Sequence, residues 1–330
     1  MMNYIKRVMN PAWYHGHGKK PPFFEGWYFK LLNADETQRW AIIPGVFINE
    51  DVDKTHAFIQ VLNGTTGKAN YHQYPIEAFE ATSNAFNLCI GKSHFLADKI
   101  ELHIDDNSGS LKGRLHFSNL HPWPVKFWSP GIMGPFGWLN FLECYHGVVS
   151  LDHHIEGTLQ IDGENIDFSD GRGYTEKDWG KSFPRGYIWQ QSNHFETAGT
   201  SLTASIAVIP NLGISFPGFI VGLWHEQQLF QFTTYNNSKV HHLHVTDDTV
   251  EWILRNKQYE LIMIANRAEA GILKGPEREA MIKRVDETMQ ATIEVTLNRL
   301  QGSNKQLIFE GCGRNAGLEV VGDLGMILKP

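Results

Sequence analysis

The chain has 330 residues, enough for two domains of about 150 residues or for one large β domain, and too many for a single small module. Hydrophobic residues make up 42% and charged residues 20%, the balance of an ordinary globular protein with a substantial core, which excludes a disordered or fibrous chain. Lys plus Arg number 29 against 36 Asp plus Glu, a net charge of −7, so there is no global positive field for phosphates and nucleic acid is excluded as the expected partner.

Residues 1–10 carry Lys6 and Arg7 and run into Pro11 and a polar stretch, His15 to Lys20, where an export signal needs an apolar run. Alternating segments then dominate: Ala57–Leu62, Lys99–Ile104, Leu111–Phe117, Gly157–Ile161, Val240–Val245, Val250–Leu254, Gln258–Ala265 and Thr292–Asn298. Hairpin signals separate them, among them Asn63-Gly64, Asp162-Gly163, Asn236-Asn237, Asp247-Asp248 and Gly302-Ser303-Asn304. The most apolar stretch, Leu202 to Trp224, is broken by Pro210, Asn211, Gly213, Pro217 and Gly218 and reads as two buried strands rather than a membrane span. Residues 276–285 combine a Pro start and good helix formers with a possible alternation of Met281, Lys283 and Val285, so helix and strand both stay open there. An all-β chain follows, and an up-and-down antiparallel sheet loses its edges most simply by closing into barrels of about eight strands. Two such barrels, with little helix, account for the length. The boundary is expected between Phe168 and Gly171, giving domains 1–169 and 170–330.

The first dense motif, Phe23 to Lys30, is an aromatic strand with one acid, Glu25, expected to pair with a basic side chain, and one glycine, Gly26, expected to admit a ring or backbone. The second, Gly134 to Val149, sets Glu143 and His146 three residues apart in an apolar run, as a satisfied core pair or as working groups. In the third, Gly171 to Phe195, an extended Tyr174 to Trp179 puts Tyr174, Glu176 and Asp178 on one side, where like charges keep one carboxylic acid protonated. The bland alternative is a solvent-facing turn with Lys177 and Arg185 neutralising both acids. The next strand places Tyr187, Trp189, Gln191, Asn193 and Phe195 on one face, a lining for a ligand with an apolar tail and a polar head.

The segments FFEGWYFK, FLECYHGVVSLDH and GYTEKDWGKSFPRGYIWQQSNHF, in this order, resemble the tocopherol cyclase family across nearly the whole chain. That family is similar to lipocalin-like two-barrel proteins that include carotenoid hydratases. The resemblance implies two packed lipocalin-like β-barrels and a site for a prenylated or polyene substrate near the start of the second. It also implies an alkene-protonating acid in the tyrosine-containing motif, matched here by Glu176, with Asp178 as its rival. The plant cyclases carry a plastid-targeting extension, whereas here the matching region begins near residue 11, so a role outside plastids is expected.

The 16 histidines include His15-x-His17, His153-His154 and His241-His242-x-His244, of which only His242 and His244 share a strand face, with no clear third ligand. No metal and no cofactor are expected. Cys89, Cys144 and Cys312 are odd in number and far apart, which argues against a disulfide framework and for a reducing, cytoplasmic setting. The leading expectation is an acid-catalysed cyclisation of a prenylated phenol or quinol to a chromanol. Glu176 or Asp178 would be the acid and His146 the acceptor of the phenol proton; Trp27, Tyr174, Trp179, Trp189, Gln191 and Asn193 would bind substrate. The expected partner is a hydrophobic small molecule, taken up through transient membrane contact. The alternatives are a lipocalin-like carrier, with the acids paired to Lys177 and Arg185, and an alkene hydratase, in which water captures the cation.

Overall fold

A computed structural model describes residues 2–211 and 214–328. The first sheet collects β1 (Phe23–Leu32), β2 (Arg39–Ile48), β3 (His56–Asn63), β4 (Ala69–Pro75), β5 (Phe79–Ala81), β6 (Asn87–Ile90), β7 (Ser93–Leu96), β8 (Lys99–Asp106) and β9 (Gly109–Ser118). A small hairpin of β10 (Val125–Lys126) and β11 (Ser129–Pro130) follows. The chain then rejoins the first sheet as β12 (Cys144–Ile161), β13 (Glu164–Asp167) and β14 (Gly171–Gly180). The second sheet contains β15 (Gly186–Ser192), β16 (Ser201–Asn211), β17 (Ile214–His225), β18 (Gln228–Thr233), β19 (Lys239–Val245), β20 (Thr249–Arg255), β21 (Tyr259–Asn266), β22 (Gly271–Pro276), β23 (Met281–Gln301) and β24 (Asn304–Gly322).

The architecture is all-β, with two large lipocalin-like antiparallel sheets of 12 and 10 strands among the described residues, more than the eight expected for each. Helix among the described residues is limited to α1 (Met2–Val8) and three 3-10 turns. The turn signals sit where strands reverse: between β12 and β13, for instance, Asp162 and Gly163 take φ values of 49° and 89°, which a tight hairpin requires. Along the first sheet the pairing order is β4-β3-β2-β1-β14-β12-β9-β8-β7-β6-β5, and the recorded ladder starts at β4 and ends at β5. The stretch from 276 to 285 resolves as strand from Met281 onward. No helix among the described residues is long and apolar enough to cross a membrane.

The compact units are residues 1–183 with 272–284, and residues 184–271 with 285–330. The expected boundary at 169/170 is therefore corrected: β14 begins with the third motif, yet it pairs with β1 on one side and β12 on the other. Gln60 explains why a late segment joins the first unit, since its amide exchanges two 2.8 Å hydrogen bonds with the backbone of Lys274. Each unit has its own core. In the first, alternation along β1 sends Trp27, Phe29 and Leu31 inward with Ile42, Phe95, Leu115 and Phe168. In the second, Ile188, Leu202, Phe232, Trp252 and Leu297 pack together. Each such side chain, fully withdrawn from water, contributes roughly 1.5–3 kcal/mol.

Candidate active site

The three sequence motifs become neighbours because β14 lies between β1 and β12. Its register pairs Tyr28 with Glu176, Lys30 with Tyr174, and His146 with Asp178, so these six side chains share one face of a three-stranded ribbon. Lys177, Trp179, Trp27 and Glu25 occupy the opposite face, toward the first core.

On the first face the Tyr174 hydroxyl donates a short hydrogen bond to Oε2 of Glu176. The same oxygen lies 3.4 Å from His146 Nε2, and Nδ1 of that ring is 2.9 Å from Asp178 Oδ1. Tyr174, Glu176 and His146 are largely withdrawn from solvent, whereas Asp178 keeps 27% of its side chain exposed. Burial disfavours the imidazolium of His146, but Glu176 and Asp178 outweigh it and lift the ring from 6.5 to about 9. At neutral pH His146 is a buried cation held between two carboxylates. Its Nε2 makes no hydrogen bond of good geometry, so that proton faces Glu176 without being locked to it.

His146, Glu176 and Asp178 also offer ligand atoms within 4.8 Å of one another. The carboxylates sit at opposite ring nitrogens, however, which is the geometry of a hydrogen-bonded relay rather than of three donors converging on one ion. The other histidines separate. His242 and His244 are exposed, with rings 6.2 Å apart beside a bulge in β19, and His242 faces Glu251. His153 lies inside the first unit over Gly173 and is held neutral, its pKa lowered to about 3, chiefly by burial.

The opposite face carries a second ionic group. Lys177, fully buried, donates to Glu25 and to the Trp13 carbonyl at 2.6 Å, and its ammonium lies 4.7 and 4.6 Å from the rings of Trp27 and Trp179. The main-chain N–H of His15 donates to Glu25 at 2.8 Å, and the His15 ring stacks on Trp179 at 4.3 Å. Burial lowers Lys177 to about 8, with Glu25 opposing the fall. Burial also raises the Glu25 carboxyl, but Lys177 and His15 outweigh it and hold it below the usual range. Glu25 thus finds its basic partner in Lys177. The solvent-facing arrangement with Lys177 and Arg185 on the two acids is not found: Lys177 serves Glu25, and the Arg185 guanidinium lies against Met326.

The substrate-binding expectations divide accordingly. Tyr174 joins Glu176, but Trp27 is enclosed against Phe86 and cannot line Glu176's face, because strand alternation turns it away. Trp179 has the same orientation, yet it borders an open cleft of the first unit that also reaches His146 and Tyr145. In the second unit, Ile188 and Gln190 point into the core, so Trp189 and Gln191 lie on the other face of β15, buried there rather than lining the barrel interior. Asn193 follows with its Oδ1 3.5 Å from the Gln191 amide, and Phe195 then drops into the second core, ending the expected alternation. Glu143 turns away from His146 to Arg278, at 2.6 Å. The close approach expected at Gly26 belongs instead to its ladder partner Gly45, where an added Cβ would come within 2.4 Å of Phe58. Sequence reasoning missed Tyr28 and Lys30; the signal lay in the even-numbered positions of the first motif.

A model of the family described as tocopherol cyclase-like matches residues 124–322. A chloroplastic tocopherol cyclase of Zea mays is 23% identical over 375 aligned positions, covering 94% of this chain and 77% of that protein. A probable chloroplastic tocopherol cyclase of Oryza sativa subsp. japonica is 26% identical over 202 positions, 56% of this chain and 42% of that protein. Among solved structures, CghA with Sch210972 superposes with a TM-score of 0.57 at 10% identity, over 92% of this chain and 89% of that one, a likeness of fold.

Proposed function

Because the chain belongs to the tocopherol cyclase-like family, we propose that it closes a chromanol ring on a prenylated phenol or quinol by acid catalysis, with Glu176 as the proton donor. The observation that carries this reading is the chain Tyr174–Glu176–His146–Asp178, whose members share one sheet face and are linked side chain to side chain. Its proton sits on His146 at rest. Passing from Nε2 to Glu176, it produces a carboxylic acid beside an imidazole whose remaining N–H is still held by Asp178.

Glu176 then protonates the less substituted carbon of a trisubstituted alkene, and the π electrons form the new C–H bond. The tertiary cation left behind is stabilised by the carboxylate just formed and by the ring of Tyr28 opposite it. The phenol oxygen attacks the cation, forming the ring C–O bond. Its proton leaves to Glu176 or His146, restoring the starting state. Substrate and product are isomers, so atoms and electrons balance without a cofactor.

The test is Glu176→Gln, which keeps the shape and removes the acidic proton. Binding of a prenylated quinol should persist while conversion falls by about 10²–10⁴-fold. Wild-type conversion by the variant would end this assignment. A product heavier by one water would move the reading to a hydratase, and tight binding without conversion by the wild type would move it to a carrier.

A further inference from the structure

The mouth of the cleft beside His146 and Trp179 is built from α1, the β10–β11 hairpin and residues 130–140. These pieces are assembled around Trp138. Its indole N–H donates to the Phe127 carbonyl at 2.7 Å, and its ring centroid lies 5.1 Å from that of Phe127 and 6.3 Å from that of Tyr4. The Tyr4 hydroxyl donates to the Trp138 carbonyl at 2.5 Å. The framework is therefore fixed, yet its outer side chains are apolar and bare. Trp128 is 73% exposed, Phe127 64% and Phe141 59%, with Ile5 and Val125 also among the exposed hydrophobic residues. Phe127 and Trp128 are the two residues at the tip of the hairpin. Monomeric soluble proteins rarely expose such aromatics together unless a partner receives them.

Charge identifies the partner. The segments 1–20 and 119–142 contain Lys6, Arg7, Lys19, Lys20 and Lys126 and not one Asp or Glu, in a chain whose net charge is −7. Aromatic tips on segments that carry cations and no acid suit the boundary between headgroups and acyl chains of an anionic lipid surface, where Trp is favoured and each Lys or Arg adds attraction. We propose that this rim docks on anionic membranes and opens the cleft to lipid-dissolved substrate. The docking stands on exposure and charge; only the identity of the cargo rests on the cyclase reading.

The experiment is co-sedimentation with phosphatidylcholine vesicles, with and without phosphatidylglycerol. The protein should sediment with the anionic vesicles, less so with phosphatidylcholine alone, and less so as salt rises. A Trp128→Ser variant, which keeps the Phe127–Trp138 ring contact, should bind about tenfold more weakly or worse, with an unchanged melting temperature, because the indole would otherwise leave water. Lys6→Glu/Lys126→Glu, a second variant that leaves the aromatics in place, should lose the preference for anionic vesicles. Presenting prenylquinol in vesicles and in detergent micelles separates the two readings. The tip variant should convert only the micellar substrate; absence of turnover in both forms, with vesicle binding intact, refutes the cyclase and leaves the docking surface standing. The docking surface is refuted if wild type ignores both vesicles, if both variants sediment like wild type, or if the aromatics instead drive self-association in solution.

Discussion

Replacing Asp178 with Asn keeps an oxygen for the Nδ1 proton of His146 and removes the charge. The lift of His146 from 6.5 to about 9 corresponds to roughly 3 kcal/mol in favour of the cation. Two carboxylates produce it against burial, Asp178 at 2.9 Å and Glu176 at 3.4 Å. One opposite charge at such a distance moves a pKa by about 1–3 pH units. Because Asp178 is 27% exposed, water screens part of its effect, and the lower part of that range, about 1–2 pH units, applies. His146 holds its proton below its pKa and releases it above. The alkaline limb of kcat/KM, near 9 in the wild type, should therefore move acidward by that amount in Asp178→Asn, and the optimum should move down. The reason is a lowered His146, not the release of like-charge repulsion on Glu176 that the sequence suggests. The assay is kcat/KM against pH for both proteins, with an NMR titration of the His146 ring. An alkaline limb and a ring titration that both stay in place in the folded variant would refute the relay.

The same ionisation links stability to pH: a histidine lifted in the folded state stabilises fully below 6.5 and loses that contribution as pH rises through about 9, so His146→Gln should flatten the fall in melting temperature across this window. Lys177→Met leaves Glu25 buried without its cation and should cost about 3–5 kcal/mol in chemical denaturation, with Glu25→Gln/Lys177→Met recovering much of it; a single variant as stable as the wild type would contradict the ion pair. Purified protein should carry no stoichiometric transition metal and should keep its activity in chelator, whereas about one bound equivalent lost on changing His146 to Ala would overturn the relay geometry.

Much of the fold was legible because period two and turn chemistry are local signals. Ile293, Val295 and Leu297 alternate into the second core as their spacing requires. Within the third motif, alternation placed Tyr174, Glu176 and Asp178 on one side, and the ladder keeps them there. What was not legible depends on pairing across distance. No local feature of Gly171 to Gly180 says that β14 inserts between β1 and β12, so the boundary fell one strand early. Trp27 and Trp179 were assigned to the acid's side by chemical suitability, and parity assigns them to the other. The face of β15 could not be chosen from sequence either: Trp189 and Gln191 share a face as read, but Ile188 and Gln190 alternate with them and claim the core.

The alternation of β14 explains why the two ionic groups do not neutralise each other. Glu176, Lys177 and Asp178 are consecutive, and in a helix or turn the lysine would reach either acid. In a strand they point to opposite sides, and Lys177 is then held by Glu25, by the Trp13 carbonyl and by two indole faces. A lysine so placed cannot reach Glu176 to hold it as a permanently paired carboxylate, which would remove the acid. On its own face Glu176 meets His146, whose Nε2 lies 3.4 Å from its Oε2 and carries a proton that can pass to it. The Glu25–Lys177 pair thus joins β1 to β14 across the other side of the sheet, in the register that sets Tyr28 opposite Glu176, and it holds Lys177 away from that carboxylate.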